Sequence, residues 1–193
     1  VKLTKILDDG TLLYLTTHNR GAGVTARADK LYTGGGLNLA VEGEGMLLGV
    51  WDGGRVLENH TLLSNRVTQI DDPDGYSNHA THVAGTMIGR DLVQGGDARG
   101  MSFRASLNAY DFGNDFSEMT TAAANGLLIS NHSYGFDADA LPQYYFGSYD
   151  NTAAQVDFLL YNAPYYTAVF SAGNDRNAGH NPGDNGYDIL TDR

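Results

Sequence analysis

His79 heads a short segment, Asn78-His79-Ala80-Thr81-His82-Val83-Ala84-Gly85-Thr86, that runs from polar into small apolar residues. Imidazole is the one side chain that ordinarily both takes and gives a proton near neutral pH, so a His held in place is the usual general base. Asp52 ends an apolar run, Met46-Leu47-Leu48-Gly49-Val50-Trp51, and is followed by Gly53 and Gly54. Two glycines allow a tight turn, and a carboxylate fixed there can accept a hydrogen bond from one ring nitrogen, set the tautomer and stabilise the imidazolium. Asn174 closes another run, Val169-Phe170-Ser171-Ala172-Gly173, where its amide can donate to the oxyanion that develops on an attacked carbonyl. Each residue also has a plain reading: an Asp-Gly turn, a capping His, a turn Asn in Asn174-Asp175-Arg176-Asn177.

Such residues need elements that bring them together. Val83, Ala84, Met87 and Ile88 recur at helical spacing, which predicts a helix with Asn78 as its N-cap and His79 at its mouth. Strands are predicted at 46–51, 106–110, 127–130 and 166–170, alternating with helical stretches, the signature of a doubly wound α/β domain with a parallel sheet. Each strand ends in polar or Gly-rich residues: Asp52, Asp111, Asn131 to Gly135, and Gly173-Asn174. In a parallel sheet those ends share one edge, and open α/β folds bind ligands beyond it. Asp111 reads as a strand-terminating turn residue. Before residue 41 the chain offers a turn at Asp8-Asp9-Gly10, a strand at 12–17 and a helix at 22–31 entering the Gly34-Gly35-Gly36 break, none of it carrying chemistry.

The stretches around Asp52, His79 and Ala172-Gly173-Asn174 resemble, in that order, three motifs of the subtilisin-like serine peptidases, the subtilase family. The resemblance implies that Asp52 is the acid of the triad, His79 the base and Asn174 the oxyanion-hole amide. Acid before base is the subtilisin order rather than that of chymotrypsin or the α/β-hydrolases. Asn131-His132-Ser133-Tyr134-Gly135 resembles the family's Asn-x-Ser-x-Gly strand, which implies substrate binding by Ser133, Tyr134 and Gly135 through β-augmentation of an extended peptide. His132 falls on the other face by strand alternation and reads as packing. Ala80 stands where the family commonly has Gly, which threatens only close packing, and 136–149, rich in Tyr and Asp, looks like a family-variable insertion. The family's Gly-Thr-Ser nucleophile motif does not occur in these residues. The expected fold is therefore the three-layer, doubly wound, mostly parallel subtilisin-like sheet, truncated on its C-terminal side. Residues 1–40 are expected to precede the core, or to belong to a propeptide junction, and 41–193 to form a partial catalytic domain. The expected function is serine endopeptidase in the full-length protein, with the 193 residues inert alone; the alternative is a non-catalytic peptide- or protein-binding module.

Composition narrows the partners. The 193 residues carry a net charge of −11, against binding to nucleic acid or anionic membranes. The absence of Cys removes disulfides and thiolate chemistry. No apolar run is long enough to span a membrane, and Val1-Lys2-Leu3-Thr4-Lys5 does not read as a secretory signal; the family resemblance implies a secreted or periplasmic protein. The chemistry requires no cofactor. His82 lacks the spacing and the Glu of a zinc-peptidase helix, whereas Asp71-Asp72-Pro73-Asp74 or Gly95-Gly96-Asp97 offers oxygens for the structural calcium that family members often hold. A sheet left open by truncation is expected to favour self-association.

Overall fold

Alternating apolar runs and Gly-rich breaks give a chain of parallel strands joined by helices. The computed structural model describes residues 2–6, 12–15, 19–91, 96–137 and 140–174. They cluster into two compact units, Val1–Asp115 and Phe116–Arg193.

In the first unit, β1 (Lys2–Ile6) and β2 (Leu12–Leu15) form an antiparallel pair. The helix expected at 22–31 is split: α1 runs Asn19–Thr25, and a 3₁₀ turn follows at Ala28–Lys30. Between them Arg27 adopts φ 61°, a left-handed conformation that an α-helix cannot continue through. The turn expected at Asp8-Asp9-Gly10 lies outside the described residues.

Next come β3 (Leu47–Asp52), β4 (Val67–Gln69), α2 (Asn78–Ile88) and β5 (Ser106–Asp111). β5 pairs in parallel with both β3 and β4, with Leu47 opposite Ser106 and Asp52 opposite Asp111. Residues 48 to 52 of β3 are all buried, as a parallel strand covered on both faces requires. Trp51 and Tyr110, partners in the register, stack with ring centroids 4.1 Å apart. α2 turns Ala80, Ala84 and Ile88 into a core with Val50, Val56, Leu63, Leu107 and Ala109, and Val83 and Met87 pack against it. The Ala80 methyl is fully buried in that core, so the departure from Gly is accommodated as packing. Arg66 sews the unit together: its guanidinium donates to the carbonyls of Ala105 (2.7 Å), Ile88 (2.7 Å) and Leu62 (3.2 Å). Burial lowers the pKa of that guanidinium from its ordinary value, with Arg90 adding to the effect.

In the second unit α3 (Asp115–Ala124) leads to β6 (Ile129–His132), and α4 (Asn151–Asn162) leads to β7 (Thr167–Phe170), parallel to β6. Asp150 caps α4 by accepting from the Ala153 N–H at 2.9 Å. The strand expected at 127–130 begins two residues later, at Ile129. Gly126, at φ 93°, ends the helix, and Leu127 N–H bonds back to Ala122, so Leu127 belongs to the helix cap, while Leu128 O accepts from Thr167 N–H at 2.8 Å. All five strands after residue 46 thus pair in parallel, in an α/β arrangement.

Candidate active site

Asp52 is the last residue of β3 and only 3% exposed. Its carboxylate is engaged twice. Oδ1 accepts from the Gly53 N–H at 2.8 Å, and the two oxygens lie 2.7 Å and 2.8 Å from Nδ1 of His79. His79 sits in the first turn of α2 with its side chain 62% exposed and its Nδ1 held by Asp52. A carboxylate on Nδ1 places the proton of the neutral ring there and leaves the other nitrogen basic.

The helix mouth is fixed by the loop that leaves β3. Arg55 N–H donates to Gly75 O at 3.0 Å, Ser77 N–H donates to Arg55 O at 2.8 Å, and Leu57 N–H donates to Thr81 Oγ1 at 2.9 Å. The cap is Ser77, one residue before the expected Asn78: Ser77 Oγ accepts from Ala80 N–H at 3.1 Å. Both residue types suit the position; Ser77 wins because its backbone is extended, φ −106° and ψ 126°, while Asn78 is already helical. Gly54 has φ 94°, and a Cβ there would come within 3.3 Å of Ser77 Cβ, so the turn after Asp52 needs glycine for both conformation and space. Farther along the loop, the hydrogen bond from Arg55 holds the Glu58 carboxyl below its ordinary pKa against the opposing effect of burial.

Asp111 does more than end its strand. Its Oδ2 accepts from the Gly54 N–H at 2.9 Å and its Oδ1 from the Gly113 N–H at 2.9 Å. In the sequence only its place at a strand end marked it. Asp71 accepts from Gln69 Nε2 at 2.8 Å and from the Asp111 N–H, and Asp72 Oδ1 faces Arg55 at 3.1 Å, so three of the oxygens offered for calcium have protein partners. Asp97 pairs with Arg20 at 3.4 Å, while Gly95 lies outside the described residues. Among the described residues no group of three or more His, Asp or Glu is placed to hold a metal ion.

In the second unit, β6 runs into Ser133, Tyr134 and Gly135. Asn131 Nδ2 donates to Ser133 Oγ at 2.8 Å. His132 is fully buried: Nε2 bonds Ser130 Oγ at 2.7 Å, Nδ1 bonds Tyr134 Oη at 3.0 Å, and the ring stacks on Phe170 at 4.5 Å. Its packing role follows from strand alternation, as expected. The same network fixes Tyr134, which the sequence did not reveal. Beyond β7, Ser171 N–H continues the pairing to His132 O at 2.9 Å, Gly173 takes φ 86°, and Asn174 is exposed after it.

Residues 43–189 match the model of the subtilase family. Two similar solved structures are the CspB protease of Clostridium perfringens, 16% identical with a TM-score of 0.54, and a cold-adapted subtilisin-like serine proteinase, 20% identical with a TM-score of 0.46. The first match covers 81% of this chain and 41% of that protease, the second 70% and 49%. A curated relative, the serine protease/ABC transporter B family protein tagB of Dictyostelium discoideum, is 24% identical over an alignment covering 76% of this chain and 9% of that protein. The chain thus spans less than half the length of each of these three relatives. The CspB match carries the shared fold, and the family match covers most of the chain, including Asp52, His79 and Asn174: the chain belongs to the subtilase family.

Proposed function

We propose that this chain supplies the acid and base of a serine endopeptidase that hydrolyses peptide bonds with an Asp-His-Ser triad. The observation that carries the reading is the pair of short contacts, 2.7 Å and 2.8 Å, between a buried Asp52 carboxylate and Nδ1 of an outward-facing His79. In this reading His79 Nε2 takes the proton from a serine hydroxyl as it attacks the scissile carbonyl, then returns it to the leaving amine. Asp52 orients the ring and stabilises the imidazolium. The Asn174 amide donates to the oxyanion, and Ser133, Tyr134 and Gly135 bind the extended substrate backbone. The nucleophile belongs to a segment outside these 193 residues, since no Gly-Thr-Ser occurs within them. The partner is a polypeptide substrate, the setting secreted or periplasmic, and the chain by itself self-associates. No described helix is long and apolar enough to cross a membrane.

Peptide hydrolysis tests this directly. The 193-residue chain alone is expected to give no turnover, while a form extended through a Gly-Thr-Ser motif is expected to cleave peptides. In that form His79→Ala should lose about 10⁴-fold or more in kcat, and Asn174→Ala about 10²- to 10³-fold. Cleavage by the extended form that survives His79→Ala refutes the triad. Peptide affinity without turnover in the extended form favours the binding-module alternative.

A further inference from the structure

Asp52 and Asp111 occupy matching places at the ends of paired strands β3 and β5. One residue earlier, Trp51 and Tyr110 stack on each other; by alternation the two carboxylates lie together on the opposite side. They divide the amides of the turn that follows β3: Asp52 Oδ1 accepts from Gly53 N–H at 2.8 Å, and Asp111 Oδ2 accepts from Gly54 N–H at 2.9 Å. That same Asp52 Oδ1 lies 2.7 Å from His79 Nδ1.

We propose that Asp111 is a positioning residue for the Asp52–His79 pair, clamping the Gly53-Gly54 turn so that the Gly53 N–H holds the Asp52 carboxylate in place against His79 Nδ1. The functional meaning of this role rests on the acid–base reading of the pair, but its geometry does not. A carboxylate that meets His79 Nδ1 with both oxygens and receives a backbone N–H on one of them is locked about its Cβ–Cγ bond, provided that the donors themselves are fixed. Gly53 and Gly54 carry no side chains and Gly54 sits at φ 94°, so the turn's backbone is free to take many conformations and relies on hydrogen bonds from outside it for its rigidity. Asp111 supplies that support, and it is anchored in turn. Its Oδ1 holds Gly113 N–H at 2.9 Å, and its own N–H donates to Asp71 Oδ2. The next side chain, Phe112, closes over the turn: a Cβ on Gly53 would lie 3.0 Å from its ring. Both Asp111 oxygens are committed to backbone amides, so its influence on His79 passes through the turn.

Nitrogen NMR of labelled His79 and amide exchange at Gly53 test this in the 193-residue chain, with no need for turnover. The wild-type ring is expected as the Nδ1–H tautomer, and Asp52→Asn as the reference should convert it to Nε2–H. Asp111→Ala should lose much of the Nδ1–H signal and speed Gly53 exchange by about five- to tenfold, the effect of one lost hydrogen bond. Asp111→Asn can satisfy Gly54 or Gly113 but not both, and should fall between wild type and Ala; it also serves as the test if the alanine variant does not fold. A wild-type tautomer and wild-type Gly53 exchange in either folded Asp111 variant overturn the proposal, as do equal effects of Ala and Asn, which would indicate charge alone. If Asp52→Asn leaves the tautomer unmoved, the acid–base pair itself fails, and with it the role of Asp111.

Discussion

At the scale of single residues, the pair that matters is held by groups that do no chemistry. Gly54 is the plainest case, since its φ of 94° excludes other residues on strain and a Cβ there would press on Ser77, the cap of the helix that carries His79. Gly54→Ala is expected to destabilise the protein by about 1–3 kcal/mol and to weaken the Asp52–His79 hydrogen bond. Denaturant unfolding reads the first effect and the His79 Nδ1–H resonance the second; a variant as stable as wild type would show that the turn adapts. The glycine was legible in the sequence as turn chemistry. Its contact with Ser77, 23 residues away in the chain, was not.

Elements in the first unit are tied by ionic groups at their ends. Glu42 bridges two of them: Oε1 accepts from Thr33 N–H at 3.0 Å, and Oε2 meets Arg104 Nε at 2.6 Å, just before β5. The Thr33 N–H, and secondarily Arg104, hold the Glu42 carboxyl below its ordinary pKa despite burial. The sign follows from linkage: a carboxyl depressed in the native state adds stability above its unfolded pKa, about 4.3, and loses it as pH falls through the native value. Glu42→Gln is therefore expected to melt below wild type at pH 7, with the two melting temperatures converging as pH drops below about 4. A gap that stays constant with pH would assign the effect to packing instead. Helix α2 shows the limit of reading elements from pattern. Its apolar spacing marked the helix, but Ser77 and Asn78 are both good caps, and only the backbone path set by Arg55 and Gly75 chose between them.

For the whole molecule, the second unit leaves large apolar groups on its surface: Phe158 is 68% exposed, Tyr161 86%, Tyr165 85%, and Val169 and Phe170 46% each. Among the described residues β7 pairs with β6 alone, so a strand carrying Val169 and Phe170 presents unpaired backbone beside that apolar surface. Exposed apolar surface next to an open strand edge drives association. Light scattering of the 193-residue chain is expected to show oligomers growing with concentration, and Phe158→Glu with Val169→Lys should reduce them; a monomer at all concentrations would remove the self-association reading.

The sequence by itself determined the parallel α/β pattern, because apolar runs that end in polar or Gly-rich residues are local signals that survive without coordinates, and it singled out Asp52, His79 and Asn174 through the resemblance of the stretches around them to subtilase motifs. It also placed His132 on the packed face, since alternation along a strand is a property of the backbone alone. Tertiary structure decided how Asp52 and His79 are held. The contact of His79 with Asp52 and the clamp from Asp111 on Gly54 depend on residues from separate strands and loops arriving within hydrogen-bond distance. Such contacts are set by register and turn geometry between elements, and no local pattern of residue types encodes them.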